Sequence, residues 1–250
     1  MKILNSLNMK RVVFPFLCMV MLGVTGCMKP GDNIQCYNDG MPAIVEVSYD
    51  NIQPLPLIIV PGDEYIYAPE LSDHLYTDIM EGDAIWTSFC INRTQPSGYQ
   101  YEIASDLAYM KVGQGYSQGT PNGESIASDF NSSINSMEIA TLIKNNLFFI
   151  FVHKAPEDQK FTYEMTYSPT ANPPVLYIRA KKDGSGSKAE KEFMYPYAFN
   201  MYSFFSHYKD GSNKVSFSIQ YQTGVDADGN AVYKTYEDQR GNTTIEITVK

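Results

Sequence analysis

The sequence predicts an all-β protein in which a small barrel is followed by a β-sandwich of the immunoglobulin-like type. Short runs of alternating apolar and polar residues recur along the chain with turn-forming residues between them, and long helical periodicity is hard to find. Nineteen Tyr and thirteen Phe favour strands, because aromatic side chains pack well on pleated surfaces. A stretch rich in Gly, Ser, Asn and Pro at residues 113–123 separates two series of predicted strands.

The amino terminus has the pattern of a bacterial secretory signal. Lys2, Lys10 and Arg11 form a positive segment, and residues 12–24 form an apolar run of 13 residues. That length fits the apolar region of a signal peptide and is shorter than the roughly 17–25 residues of a spanning helix. Met9 is an alternative start, because it opens a complete signal with Lys10 and Arg11.

Residues 24–27, Val-Thr-Gly-Cys, resemble the lipobox of bacterial lipoproteins, in which the cysteine is acylated and becomes the new amino terminus. The sequence therefore predicts removal of residues 1–26 and a lipid on Cys27, the alternative being an ordinary signal peptide with a chance cysteine. Two or three acyl chains hold a protein stably on a membrane, whereas one holds it marginally. We expect an anchored protein of a Gram-negative cell envelope, at the outer membrane.

Residues 27–40 are predicted to form a lipidated tether. This segment lacks the acidic run that often follows the cysteine of surface-exported lipoproteins, so the periplasmic and outer faces both stay open. Removal of residues 1–26 leaves 28 acidic and 16 basic residues, a net charge of −12. An acidic surface argues against nucleic acid as a partner and against a basic face for anionic lipid.

Cys36 and Cys90 are the cysteines that remain once Cys18 leaves with the signal and Cys27 carries lipid. Disulfides persist in the cell envelope, so the two are candidates for a bridge. The spacing of the residues does not show whether they meet. Neither has a CxxC neighbour, which disfavours a metal or redox role.

Residues 41–115 are predicted to form the barrel, from five or so short strands in under 100 residues. Val45, Val47 and Tyr49 fall on one face of the first strand. Trp86 alternates with the apolar positions of a later strand and so lies on its other face. The predicted strands are residues 43–49, 57–60, 64–68, 84–92 and one or two within 99–112.

Residues 116–135 are predicted to be a linker, and residues 136–250 a sandwich of seven or eight strands. Clusters of Asp, Gly, Asn and Pro separate these strands. The predicted strands are residues 137–143, 147–153, 161–167, 175–181, 193–204, 214–222, 231–236 and 243–249.

Motifs that resemble catalytic or metal sites mostly fail on their context. Residues 115–119 match G-x-S-x-G, but the Thr-Pro-Asn-Gly that follows cannot start the helix that a nucleophile elbow requires. His74, His153 and His207 are isolated and lack ligand spacing. Asp226, Asp228 and Asn230 imitate half of a calcium loop, yet Ala231 stands where its sharp turn needs Gly. We expect a hairpin turn there, with calcium as a weak alternative.

The order of these features resembles the NigD-like lipoproteins of gut-type Gram-negative bacteria. The resemblance covers nearly all of the mature chain. It rests on the lipobox, residues 43–49, the turn into a strand at residues 81–85, residues 106–111 before the linker, and residues 137–152. It implies an N-terminal OB-like barrel and a C-terminal β-sandwich. The family supplies no catalytic residues, and its association with a bacteriocin operon implies immunity as one hypothesis.

We therefore expect a lipid-anchored cell-envelope protein of a non-enzymatic binding or accessory type, without a cofactor. OB barrels use one sheet face and adjacent loops for ligands, so Trp86 and neighbouring tyrosines are the candidate contacts. The partner would be the membrane through the lipid, and another envelope protein or a glycan. The alternatives are a bacteriocin or toxin immunity lipoprotein, and a hydrolase acting on envelope material or glycan, which would need convergent acids or a nucleophile with a base in one cleft.

Overall fold

A computed structural model describes residues 34–50, 53–93 and 100–249 of the protein. The predicted signal peptide, Cys27 and residues 28–33 of the predicted tether lie outside the described residues. The chain divides into two compact units, Met1–Lys111 and Val112–Lys250. Within the described part of the chain, no helix is long and apolar enough to cross a membrane.

The first unit is a closed barrel of five strands, which confirms the predicted architecture. The strands are β1 (Ile34–Asp50), β2 (Gln53–Val60), β3 (Glu64–Tyr67), β4 (Ala84–Asn92) and β5 (Glu102–Lys111). Their order around the barrel is β1-β2-β3-β5-β4, and β4 closes it on β1. Strands β3 and β5 are parallel, and the other pairs are antiparallel. Five strands in this arrangement form an OB-like barrel.

Strand β1 is longer at its start than the sequence predicts. Residues 34–40 were predicted as tether, but Ile34 pairs with Asn92 and Tyr37 pairs with Phe89 of β4. The register then shifts before Met41. Such a bulge interrupts the period-two alternation by which a strand is recognised, so the tether prediction is wrong for residues 34–40.

The barrel core is aliphatic. Phe89 is the one aromatic residue among its fourteen buried members, which otherwise are Ala, Val, Ile and Leu. Alternation along β4 sends Ile85, Phe89 and Ile91 into this core, as the period of a half-buried strand requires. The connection between β3 and β4, residues 68–83, begins with a 3₁₀ turn at Pro69–Leu71 and adds Leu71, Leu75 and Ile79 to the core.

The second unit is one curled nine-stranded sheet, which confirms the predicted β-sandwich class. The strands are β6 (Gly113–Gly119), β7 (Ser136–Ile143), β8 (Asn146–Pro156), β9 (Lys160–Tyr167), β10 (Val175–Asp183), β11 (Glu190–Asn200), β12 (Lys214–Val225), β13 (Ala231–Thr235) and β14 (Ile245–Thr248). The path runs β13-β12-β10-β9-β6-β11-β8-β7, and β14 pairs with β12. Parallel pairs lie in the interior of the sheet, between β10 and β12 and between β6 and each of its two neighbours, and the pairs at its edges are antiparallel.

The linker predicted at residues 116–135 is wrong for residues 116–119, which belong to strand β6. This strand lies between β11 and β9 and is parallel to both. A Cβ on Gly113 would lie 2.5 Å from the ring of Tyr197, and one on Gly115 would lie 3.0 Å from the ring of Phe199. Glycine is therefore needed for these rings to lie on the strand. The composition that indicates a loop here reflects side chains that pack from a distant strand.

The core of the second unit is rich in aromatic residues. Phe and Tyr supply eleven of its 23 buried members. Helix α1 (Tyr202–Tyr208) contributes Phe204 and Phe205, which pack beside Met201. Residues 193–204 were predicted as one strand, but β11 ends at Asn200. Spacings of three and four residues place all three side chains on one helical face, whereas a short aromatic run is also typical of a strand.

Candidate functional site

Cys36 and Cys90 form a disulfide. They lie directly opposite each other in the β1–β4 pair. The disulfide therefore links the first part of β1 to β4, the strand that closes the barrel on β1. The Cα atoms are 4.0 Å apart, and 54 residues separate the two positions in sequence. The disulfide is structural, because it holds the first part of β1, which follows the predicted lipid anchor, against β4.

Trp86 lies on the outer side of the barrel and is half-buried. It pairs with Pro42 of β1 and Met110 of β5. Its indole covers Gly40, where a Cβ would lie 2.5 Å from Nε1, and Gly40 has a φ of 76°. Part of the indole is therefore used to pack against the β1 bulge. The most exposed aromatic side chains of the barrel lie elsewhere.

Two exposed side chains, Tyr49 and Tyr76, form a surface that we name the tyrosine surface, and the exposed Met80 belongs to the same connection as Tyr76. Their exposed fractions are 65%, 54% and 56%. The hydroxyl groups of Tyr49 and Tyr76 are hydrogen-bonded at 3.3 Å. Tyr49 stands near the end of β1, and the other two belong to the β3–β4 connection. OB barrels use loops of this kind for ligands.

The loop that carries Tyr76 is held rigidly. Leu75 and Ile79, on either side of Tyr76, are buried in the barrel core. Their backbones form an isolated β-bridge with each other. The carbonyl of His74 accepts the backbone N–H groups of residues 77, 78 and 79 at 3.0–3.2 Å and the Thr77 hydroxyl at 2.9 Å. The backbone N–H of Tyr76 donates to the carbonyl of Ile79 at 2.7 Å. The loop is therefore ordered before any ligand arrives.

Tyr76 has a φ of 64°, in the left-handed region that bulky residues rarely adopt. Such a conformation costs about 1–3 kcal/mol and persists where the surroundings impose it. Here the buried neighbours impose it, and the result is an aromatic side chain directed into solvent. Residues held in rarely populated backbone conformations cluster at ligand-binding sites, so the tyrosine surface is the best candidate site of the barrel.

Polar groups border the tyrosine surface. His74 Nδ1 lies 3.2 Å from Asp78 Oδ2, and the His74 ring meets the ring of Tyr109 edge-on at 5.9 Å between centroids. The hydrogen bond with Tyr49, with smaller contributions from burial and from the charge of Glu81, raises the pKa of Tyr76. The Tyr76 side chain is accordingly a neutral hydroxyl group at physiological pH.

Sequence reasoning missed this surface. Tyr49 follows Val45 and Val47 at period two and was assigned to the same face, yet Val45 and Val47 are buried and Tyr49 is exposed. The reason is that the strand runs past the end of the core. The distribution of charge in the sequence could have indicated this segment as a surface, since residues 68–83 contain five acidic residues and no Lys or Arg.

Ser117, the serine of the G-x-S-x-G string, is buried within strand β6. Its hydroxyl donates to the backbone carbonyl of Asn200 at 3.3 Å. A nucleophile elbow instead exposes its serine on a turn between a strand and a helix. The hydroxyl therefore satisfies a backbone acceptor between two parallel strands.

His153 is buried in the second unit and is stacked on Phe161, with 3.8 Å between ring centroids. Because the carbonyl of Ser133 can only accept, Nδ1 donates to it at 3.0 Å, and Nε2 accepts from the Tyr163 hydroxyl at 2.7 Å. Burial lowers the pKa of His153 to about 4, opposed in part by the hydrogen bond to Ser133. The imidazole is therefore neutral and structural.

Asp226 organises the hairpin turn that imitates a calcium loop. One carboxylate oxygen accepts the backbone N–H groups of Asp228 and Asn230 at 3.0 and 2.8 Å, and the other accepts the side-chain amide of Asn230 at 3.2 Å. These hydrogen bonds lower the pKa of Asp226. The oxygens that calcium would use are directed at the turn itself, and among the described residues no group of His, Cys, Asp and Glu is placed to hold a metal.

A buried ion pair that the sequence did not predict lies in the second unit. Arg179 Nη1 is 3.1 Å from Glu164 Oε1, with the two side chains 5% and 2% exposed. Arg179 also donates to Thr166, to the carbonyl of Gly123 and to the hydroxyl of Tyr233. Glu164 accepts from the backbone N–H of Ile126 at 3.0 Å and from the hydroxyl of Ser125. The ion pair and its hydrogen bonds hold residues 123–126 against strands β9 and β10.

Comparison with solved structures shows that this fold occurs elsewhere. A protein described as uncharacterised, from Parabacteroides merdae ATCC 43184, aligns with a TM-score of 0.68 at 19% identity, over 84% of this chain and 99% of that chain. A candidate lipoprotein from Bacteroides fragilis NCTC 9343 aligns with a TM-score of 0.50 at 11% identity, over 84% and 98% of the two chains. These structural alignments show a shared fold.

A NigD-like immunity protein from Bacteroides caccae ATCC 43185 is also among the structural neighbours, with a TM-score of 0.47 at 10% identity over 84% of this chain and 97% of that chain. No protein-family model and no curated protein matches the sequence.

Proposed function

We propose that the protein is a lipid-anchored, non-enzymatic binding protein of the cell envelope, whose barrel presents the tyrosine surface to a partner. The observation that carries the proposal is the rigid display of Tyr76 beside Tyr49 at a loop position where OB barrels bind ligands. Large amphipathic side chains that are already ordered contribute contact area at low entropic cost.

The sequence supports the anchor. Cys27 ends a lipobox-like segment after an apolar run of signal-peptide length. Strand β1 begins at Ile34, and seven residues of extended chain span at most about 25 Å. The barrel would therefore stay close to the membrane, which we propose is the outer membrane. A candidate lipoprotein with this fold in B. fragilis is consistent with that location.

The chemistry of the described residues favours binding over catalysis. Ser117 donates to a buried backbone carbonyl, His153 is neutral and hydrogen-bonded on both ring nitrogens, and the Asp226 carboxylate is directed at its own turn. These three side chains, which the sequence motifs singled out as a nucleophile, a base and a metal ligand, thus form hydrogen bonds within the fold. The exposed groups at and beside the tyrosine surface are hydroxyl groups and a thioether, which contact ligands without reacting with them.

The anchor is tested by fractionating cells that express Cys27→Ser. We expect the protein to move from the membrane fraction to the soluble fraction, because the lipid on Cys27 is the attachment that we propose. Cys18→Ser, within the apolar run of the signal, is the matched control and should leave the protein in the membrane fraction. Retention of the Cys27→Ser protein in washed membranes would contradict the proposal.

A further inference from the structure

The acidic charge of the protein is concentrated in the barrel. Residues 34–111 contain twelve Asp and Glu and two Lys and Arg, a net charge of −10, whereas residues 112–250 contain fifteen and thirteen, a net charge of −2. Because the barrel is also the smaller unit, its negative charge per residue is much higher than that of the second unit. Charge of one sign on a small domain attracts an oppositely charged partner over several ångströms and repels partners of the same sign.

Both cations of the barrel are already paired. Arg93 lies 2.9 Å from Glu102 and also bonds Gln35, and Lys111 lies 2.7 Å from Asp83. Neither is therefore free to neutralise the other carboxylates. Five of the twelve acidic residues belong to residues 68–83, the same connection that carries Tyr76 and Met80.

The acidic groups of this connection lie on its exposed side. Asp73, Asp78 and Glu81 are exposed, and the charge of Glu81 is felt by the Tyr76 hydroxyl. Among the described residues, neither Asp73 nor Glu81 has a Lys or Arg within ion-pair distance. The rings of Tyr49 and Tyr76 therefore lie in a negative electrostatic potential, and the face of each ring carries a partial negative charge of its own.

This combination fits Lys and Arg side chains. A guanidinium or ammonium group binds over the face of a tyrosine ring, its apolar stem packs on neighbouring apolar groups such as Met80, and carboxylates at the rim draw it in from solution. A neutral glycan would use the rings and leave the charge without a role. An anionic ligand would be repelled.

We propose that the tyrosine surface docks a segment of a partner protein that is rich in Lys and Arg. The inference rests on the proposed function in one respect, since it assigns a ligand class to the surface already named. It does not depend on the lipid anchor, so retention of Cys27→Ser in membranes and failure of basic-segment binding are separate results.

The test measures fluorescence anisotropy with the full mature protein in detergent micelles and a labelled Arg-Ser repeat peptide as the probe. A Glu-Ser repeat peptide and a neutral glucose hexasaccharide are the comparison ligands. We expect binding of the Arg-Ser peptide alone, weakened about tenfold as salt rises from ~0.05 to ~0.5 M, because screening shortens the range of surface charges. Binding of the hexasaccharide at comparable affinity, or of both peptides equally, overturns the proposal.

Variants locate the binding. Tyr49→Ala with Tyr76→Ala should weaken binding of the Arg-Ser peptide about tenfold, and Tyr76→Phe, which keeps the ring, should bind as the wild type does. Tyr116→Ala with Tyr202→Ala removes two tyrosines of the second unit that are 78% and 64% exposed, and should have no effect. Equal losses from the two alanine pairs would place the binding elsewhere and overturn the proposal.

A charge variant covers the case in which the alanine pair disturbs the loop. Asp73→Asn with Glu81→Gln keeps every ring and removes two exposed charges. We expect a loss of about fivefold and a weaker dependence on salt, with an unchanged circular dichroism spectrum. Unchanged affinity in this variant overturns the role given to charge and with it the proposal.

Discussion

The barrel and the curled sheet place their polar and charged groups in opposite ways. The barrel has an aliphatic core with one Phe, a disulfide between its first and fourth strands, and charge that stays on the surface. The second unit has a core in which eleven of 23 members are aromatic, and it buries an ion pair, a histidine and several hydroxyl groups.

This difference separates two uses of polarity. A buried polar group must be satisfied within the fold, and so it makes one arrangement of the chain specific. An exposed, unneutralised charge contributes little to stability but acts on whatever approaches the surface. We therefore interpret the second unit as the part whose polar residues maintain the structure, and the barrel as the part whose polar residues meet a partner.

Two arginines, one in each unit, give the sharpest form of this comparison. Arg179 is 5% exposed and Arg93 is 40% exposed. Arg179→Met should lower the free energy of unfolding by about 3–5 kcal/mol, because it leaves the Glu164 carboxylate buried without its cation. Arg93→Met should lower it by less than about 1 kcal/mol. Urea denaturation followed by circular dichroism measures both.

Adding Glu164→Gln to Arg179→Met is the control for the first variant. Removing the stranded charge should restore part of the lost stability. Equal destabilisation by Arg93→Met and Arg179→Met would end the distinction between buried and exposed charge that separates the two units.

The disulfide tests the barrel in turn. Replacing Cys36 and Cys90 together by Ser should lower the stability of the barrel by about 2–4 kcal/mol, because the unfolded chain regains the freedom of a loop that the bridge closes. Trp86, the one tryptophan of the chain, reports barrel unfolding by its fluorescence. A midpoint in urea that does not move would show that the barrel is held by its aliphatic core alone.

The buried histidine of the second unit makes a smaller, pH-dependent contribution. His153 has a pKa lowered to about 4 by burial, so between pH 6.5 and 4 the unfolded chain binds a proton there that the folded chain does not. The free energy of unfolding should therefore fall by about 2 kcal/mol between pH 6.5 and 5. Urea denaturation at a series of pH values, with wild type beside His153→Gln, measures the effect.

His74→Gln is the matched control for the pH series, because His74 lies on the barrel surface with its side chain 46% exposed. This variant should keep the pH dependence of the wild type, whereas His153→Gln should flatten it. The same slope in all three proteins would mean that another group titrates in this range.

The sequence predicts the barrel more completely than the second unit. Residues 84–92 were predicted as a strand and β4 spans the same residues, because alternation on a half-buried strand is a local signal. Strand β6 carries no such signal. Its glycines are required by Tyr197 and Phe199, which follow more than 80 residues later and cannot be recognised from the local pattern.

The candidate site was predictable only in part. The resemblance to an OB barrel places ligand contacts on one sheet face and the adjacent loops, with Trp86 and neighbouring tyrosines as candidates, and Tyr76 lies in such a loop. The exposure of Tyr49 depends on where the core ends along β1, and the left-handed conformation of Tyr76 depends on how Leu75 and Ile79 are buried. Both are consequences of packing between segments that are distant in sequence.

Photo-crosslinking in cells tests most directly whether the barrel is the unit that meets a partner. p-Benzoylphenylalanine replaces Tyr76 in one lipid-anchored protein and the exposed Tyr202 in another, and mass spectrometry identifies the crosslinked peptides. The account requires adducts at position 76 whose partner peptides are rich in Lys and Arg, and few adducts at position 202. Partner peptides at position 76 without a basic excess, or equal yields at the two positions, would contradict it.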